Sequence, residues 1–166
     1  MTNRRQLDPD RLGDHIDRLY RAAWGLCGSK EAAEDLVQDT FAKVLARPRF
    51  LRNDDDLGYL LRVLRNTFIS QLRSRKPSSV PLDEGLDVPE GVTTGQPDEA
   101  AELRLVYPAI ADLPQEFREA VVAVDVVGLS YSEAAKALKV PEGTLTSRVF
   151  RGRRQLAQAL EPERNQ

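Results

Sequence analysis

Cysteine and histidine are almost missing from this chain: Cys27 and His15 are the single examples in 166 residues. One cysteine closes no internal disulfide and builds no cysteine zinc cluster. Such usage agrees with a reducing cytoplasm. With one histidine and one cysteine, most hydrolytic and zinc chemistries are excluded. No nucleophile–base pair or metal-ligand cluster stands out, so neither a metal nor a cofactor is expected. His15, in a helical pattern, reads as a surface residue. Long apolar runs are also missing. None reaches membrane-spanning length, and the opening MTNRRQLDPD has no signal-peptide core, so no membrane insertion is expected.

What is present is charge, unevenly placed. The formal net charge is −2, which argues against indiscriminate nucleic-acid binding. Between Arg62 and Lys76, however, there are five basic residues and no acidic one. From Pro81 to Ala111 there are seven acidic residues and one arginine. The C-terminal segment is basic again.

The apolar spacing is helical at both ends and lost in the middle. Asp8-Pro9 suits the start of a first helix, whose face carries Leu12, Ile16, Leu19, Tyr20 and Ala23 and which ends near Gly28. Ser29 opens a second, with Ala33, Leu36, Val37, Thr40, Val44 and Leu45 on one face, stopped at Arg47-Pro48. After the loop PRFLRNDDD, Asp56 caps a third, with Leu57, Leu60, Leu61, Leu64, Phe68 and Leu72 at helical spacing. Then Pro77, Pro81, Pro89 and Pro97 with Gly85, Gly91 and Gly95 punctuate a stretch with no apolar face, a linker over 77–97. Helices are expected again over about 98–110 and 113–127. AVVAVDVV within the latter is rich in β-branched residues, yet nothing nearby would pair with a strand. The predicted fold is all-α: two small helical domains, 1–76 and 98–166, joined by an acidic tether.

The end of the chain is the most informative. In GLSYSEAAKALKVP, Gly128 suits a helix C′ position, Ser130 and Glu133 have capping-box spacing, and Pro141 is set to open the next helix. That helix, GTLTSRVFRGRRQL, has four arginines within seven positions. Leu145, Val149, Gly152 and Leu156 form one buried stripe, and Thr144, Ser147, Arg148, Arg151 and Arg154 fall largely opposite. A merely solvated helix mixes signs, because opposite charges four residues apart stabilise it. This helix has only Glu142, in its first turn. Arg148, Arg151, Arg153 and Arg154 are therefore expected to lack an internal counter-charge, which suits a phosphate-facing surface. Helix, short turn, basic helix is the helix-turn-helix pattern.

On these residues, the chain resembles the extracytoplasmic-function (ECF) group of bacterial RNA polymerase sigma factors. AEDLVQDTFAKVL (33–45) resembles the family's core-binding helix, LGYLLRVLRNTFISQLRSRK (57–76) its −10 recognition helix, and residues 113–156 its −35-binding domain. The departures are Tyr59 where a larger aromatic is common, Ser70 where Asp is common, and Lys139 where Gly is usual; a positive φ at Lys139 would cost about 1 kcal/mol. The loop LRNDDD is this chain's own.

The resemblance implies a detachable specificity subunit in the bacterial cytoplasm. Asp35, Gln38, Asp39 and Phe41 would meet the clamp helices of the polymerase core's largest subunit, and the C-terminal domain its flap. Arg52, Asn53, Asp54 and Tyr59 would capture unpaired −10 bases, with Arg62, Arg65, Asn66 and Arg73 on the DNA backbone and upstream duplex edge. Thr144, Thr146, Ser147, Arg148, Phe150, Arg151 and Arg154 would face the −35 element. It also implies an anti-sigma factor that holds residues 1–76 and 112–160 together when inhibited; control by synthesis or proteolysis alone is the alternative. A flexible coil of about twenty residues spans roughly 25 Å, and roughly 70 Å when extended. Two turns of DNA occupy about 70 Å, so the polymerase must stretch the tether. Two other readings stay open on the residues alone: an autonomous helix-turn-helix regulator of duplex operators, and a helical adaptor whose basic faces meet an acidic protein.

Overall fold

The apolar stripes resolve into helices. The structure, a computed structural model, describes residues 4–6, 9–46, 50–52, 56–74 and 97–161. A 3₁₀ helix (Pro9–His15) leads into α1 (Ile16–Cys27), followed by α2 (Lys30–Ala46) and α3 (Asp56–Ser74). Then come α4 (Pro97–Ala111), α5 (Gln115–Val121) continued by a π-helical turn (Val122–Val126), α6 (Tyr131–Leu138) and α7 (Glu142–Leu160). The expected linker lies outside the described residues, except Pro97, which begins α4.

Three local expectations are corrected. The first helix does not run through from Pro9: its start is 3₁₀, and Ile16 is 45% exposed rather than on the core face. Leu45 and Leu72, at the ends of their helices, are exposed as well. Residues 4–6 and 50–52 form a short antiparallel ribbon of β1 (Arg4–Gln6) and β2 (Phe50–Arg52), with Arg4 opposite Arg52 and Gln6 opposite Phe50. Three residues are too few for a period-two pattern to be legible, and the partner lies far away in sequence.

Local chemistry explains the remaining boundaries. Ser29 accepts the Ala32 amide at 3.2 Å, and Gly28 ends α1 with φ 78°. The β-branched run is helical, but Val127 donates to the Val122 carbonyl at 2.9 Å, a π-type bond that inserts one extra residue into the turn.

Leu19, Ala22, Ala23, Leu36, Leu60, Leu61 and Leu64 are buried among α1, α2 and α3. Ala120, Val121, Ala134, Leu145 and Val149 are buried among α5, α6 and α7. The two groups of helices touch: Trp24 of α1 stacks on Tyr107 of α4 with ring centroids 4.6 Å apart.

The α7–α5 contact is close. A Cβ on Gly152 would lie 2.6 Å from Val121 Cγ2 and 3.3 Å from Phe117 Cβ, whereas one on Gly143, in the first turn of the same helix, meets nothing within 4 Å. Helix propensity alone favours alanine over glycine by about 1 kcal/mol. Overpacking reverses the sign at Gly152, so Gly152→Ala is expected to destabilise by roughly 1–3 kcal/mol. Gly143→Ala should be neutral or stabilising. Urea unfolding of the two variants checks the difference in sign.

Candidate functional site

The outward face of α7 is set by what it buries. With Leu145, Val149 and Gly152 turned inward, Thr146, Ser147, Phe150, Arg151 and Arg154 are exposed, and Thr144 and Arg148 are half-buried at the flank. Phe150 is 67% exposed, the most exposed of the large hydrophobic residues described. The angle at which this face is offered depends on the turn before it. Ser130 Oγ accepts the Glu133 amide at 3.1 Å, and the Glu133 carboxylate accepts the Ser130 amide at 3.5 Å, closing the expected capping box. Lys139 ends α6 with φ 57° and ψ 47°, the left-handed conformation that favours the glycine usual at this position, and Val140 donates to the Ala135 carbonyl at 3.0 Å. Pro141 directly precedes α7 rather than forming its first residue.

Within α7 only Glu142 is acidic, as expected, but two of the four arginines find a counter-charge outside the helix. Asp125, turned toward α7 by the π-helical turn, holds Arg153 in a fork: Nη2 and Nε donate at 2.6 and 2.9 Å. These bonds raise the Arg153 pKa further above its ordinary value. Arg148 Nη2 lies 3.7 Å from Glu116 Oε1, a loose pair whose acid is 68% exposed and worth little. Both acids come from other helices, so α7's own sequence could not reveal them. Among the described residues no ion pair engages Arg151 or Arg154.

On α2, Asp35, Gln38 and Asp39 are exposed on one face and line a shallow groove of about 300 Å³ with Ala32, Gln71 and Ser74. Gln71, which sequence reasoning missed, donates to Asp39 Oδ2 at 2.8 Å. Only the packing of α3 on α2 reveals it. Phe41 is not part of this groove: it is half-buried against the core.

The expected −10 residues divide. Asn53 and Asp54 lie outside the described residues, and Arg52 is placed only as the end of β2. Tyr59 is half-buried against the core at the start of α3. Arg65, Asn66 and Arg73 line a groove of about 540 Å³ with Ile69, Ser70, Leu72 and Gln115. Arg62 and Arg65 are engaged elsewhere: Arg62 donates to the Lys136 and Ala137 carbonyls at 2.7 and 3.2 Å, and Arg65 Nε lies 3.0 Å from Glu119 Oε1. Among the described residues no group of three or more His, Cys, Asp or Glu is placed to hold a metal, and no helix is long and apolar enough to cross a membrane.

A capped first helix, a left-handed turn and a basic second helix with its hydroxyl and guanidinium face turned outward define a helix-turn-helix protein. Comparison with known proteins specifies which kind. Residues 12–77 match sigma-70 region 2 and residues 103–156 match sigma-70 region 4. The chain is 37% identical over 150 residues to the ECF RNA polymerase sigma factor SigE of Mycolicibacterium smegmatis, covering 88% of this chain and 58% of that protein. It is 33% identical over 148 residues to the ECF RNA polymerase sigma factor EcfG of Rhodopseudomonas palustris, covering 87% and 80%. Among solved structures, the sigma factor RpoE of Bartonella quintana, in complex with the anti-sigma factor NepR, matches with a TM-score of 0.71 at 30% identity, over 93% of this chain and 98% of that one. The chain belongs to the ECF sigma factors of the sigma-70 family.

The capping box carries a stability prediction. Ser130→Ala removes a side-chain acceptor from the first turn of α6 and should cost about 1 kcal/mol. Thermal or urea unfolding measures it, and a cost near zero would mean that the cap is not formed in solution.

Proposed function

We propose that the chain is a promoter-specificity subunit of bacterial RNA polymerase, working in the cytoplasm and contributing no catalytic group of its own. One observation carries this reading: region 2 and region 4 patterns occur in order along one chain, and the second presents an outward basic helix. Residues 1–76 form the core-binding and −10 unit, 77–97 the tether, and 98–166 the −35 unit, which also meets the core's flap. An autonomous operator-binding regulator would have no use for a region 2 unit.

The exposed faces of α2, α3 and α7 support a division of labour. The α2 groove with Asp35, Gln38 and Asp39 offers acceptors to a basic helical partner, the clamp of the core's largest subunit. Phe41 flanks it as an apolar contact. Arg52, Asn53, Asp54 and Tyr59 take unpaired −10 bases by hydrogen bonding and stacking. Arg62, Arg65, Asn66 and Arg73 take the backbone. On α7, Thr144, Thr146, Ser147, Arg148, Arg151 and Arg154 offer hydroxyls and guanidinium groups to phosphates and base edges, and Phe150 offers an apolar contact of the kind that suits a thymine methyl. An anti-sigma factor is the expected regulator.

The test is transcription by core polymerase with and without the purified chain, using promoters found by mapping the transcripts that start when the chain is overproduced. Promoter-specific initiation that needs the chain supports the reading; its absence with active core rejects it.

Two variants separate the surfaces. Asp39→Arg reverses charge in the α2 groove and should abolish holoenzyme assembly in a pull-down; normal competition for core would show that α2 is not the docking face. On α7, Arg151→Ala should weaken −35 binding by roughly 1–3 kcal/mol if it makes a bidentate base contact, with core binding intact. Arg153→Ala should do far less, because its guanidinium is held by Asp125. Titration of holoenzyme against a −35 duplex compares the two.

A further inference from the structure

We propose that the ribbon of β1 and β2 is a platform for single-stranded promoter DNA, with Arg4, Gln6, Phe50 and Arg52 on its binding face. The identity of the strand rests on the sigma reading above; the platform itself stands on backbone register.

β1 lies outside the family pattern: the region 2 match begins at residue 12, and β1 ends at Gln6. Yet β1 pairs with β2, which stands between α2 and α3 and ends at Arg52, the first of the residues assigned above to unpaired −10 bases. Paired strands lie about 4.8 Å apart. Backbone pairing therefore brings residues 4–6 to the edge of that site. In the ribbon Arg4 stands opposite Arg52 and Gln6 opposite Phe50, with Arg5 opposite Leu51 between them. Opposed residues share a face of a sheet, and neighbours along a strand alternate. Arg4, Gln6, Phe50 and Arg52 thus belong to one face, and Arg5 and Leu51 to the other.

The first face combines two guanidinium groups, one amide and one aromatic ring, with no carboxylate. An unpaired strand is held by cations for its phosphates and by rings on which its bases stack, and an amide can both donate to and accept from a base edge. The ribbon's energetics also call for an anion. Two strands alone are marginal in water, and here each has three residues. Opposed residues bring their Cβ atoms to about 5 Å, where like charges destabilise the pair. Arg4 opposite Arg52 therefore works against the ribbon until a phosphate turns the repulsion into attraction. Asp54 and Asp55, two and three residues after Arg52, are the rival counter-charges. Were they to neutralise the arginines, the ribbon would add nothing to salt-dependent DNA binding, so salt dependence separates the two cases.

Holoenzyme is titrated at several salt concentrations with a single-stranded oligonucleotide spanning a mapped −10 element, for the wild type, Arg4→Ala, Arg4→Lys, Arg5→Ala and Phe50→Leu. Arg4→Ala should weaken binding several-fold at low salt and make the slope of log affinity against log salt shallower by about 0.7, the change for one phosphate contact on a single strand. Arg4→Lys keeps the charge and should keep the slope. Arg5→Ala, on the same strand but the other face, should leave the slope unchanged, which controls for disturbance of the ribbon itself. Phe50→Leu should weaken binding about fivefold or more with the slope kept, because a base stack is lost and no charge. Core assembly in a pull-down and binding of a −35 duplex should match the wild type in all four variants. An unchanged slope in Arg4→Ala, an equal fall in Arg5→Ala, full binding by Phe50→Leu, or loss of core assembly in place of oligonucleotide binding would each overturn the platform. Promoter-specific transcription by the wild type with core, run alongside, tests the sigma reading separately. If the wild type is inactive with core, that reading falls, and the same variants, titrated as the free chain against a mixed-sequence single strand, judge the platform by the same slopes.

Discussion

The contact on which the C-terminal helices depend is that between Gly152 of α7 and Val121 of α5. The valine methyl occupies the space a side chain would need, so α7 lies directly on α5 with Leu145 and Val149 buried. A helix clamped along one stripe has no freedom to roll. Everything opposite, from Ser147 through Phe150 and Arg151 to Arg154, must then face outward. The capping box at Ser130 and the left-handed turn at Lys139 fix the angle between α6 and α7, and so the direction in which that face looks. Site geometry here is a consequence of packing on the far side of the helix.

Arginine serves two purposes in this chain, and neighbours decide which. Arg153 and Arg151 are two positions apart on one helix, yet Arg153 is forked onto Asp125, and among the described residues no ion pair engages Arg151. The π-helical turn matters for this, because the extra residue re-aims the segment that carries Asp125. On α3 the same division falls between Arg73, exposed beside the groove, and the pair Arg62 and Arg65, held against α6 and α5. A planar guanidinium suits both purposes because it can donate to a carboxylate, to helix-end carbonyls or to a phosphate with the same geometry.

The helical architecture was legible because its signals are local. Stripes at a period of 3.6 placed α2, α3 and α7, and Gly28, Ser29 and Ser130 marked ends where the structure indeed turns. The β-branched run of α5 was read correctly as helix on the absence of a strand partner, although its π-type bond left no trace in the sequence. The ribbon of β1 and β2 was missed, since backbone pairing between three-residue segments has no composition of its own.

The sequence by itself determined which residue types face outward along most of α2, α3 and α7, the helix ends at Leu45 and Leu72 excepted, and the order of the motifs that place the chain in its family. Both are written in spacing along the chain, and spacing survives without knowledge of neighbours. Only the tertiary structure decided which outward residues are available: that Gln71 holds Asp39, that Asp125 takes Arg153, and that Glu119 and the end of α6 take Arg65 and Arg62. Each of these pairs joins different helices, and an ion pair or hydrogen bond depends on a separation of about 3 Å in space, which no count of residues along the chain encodes.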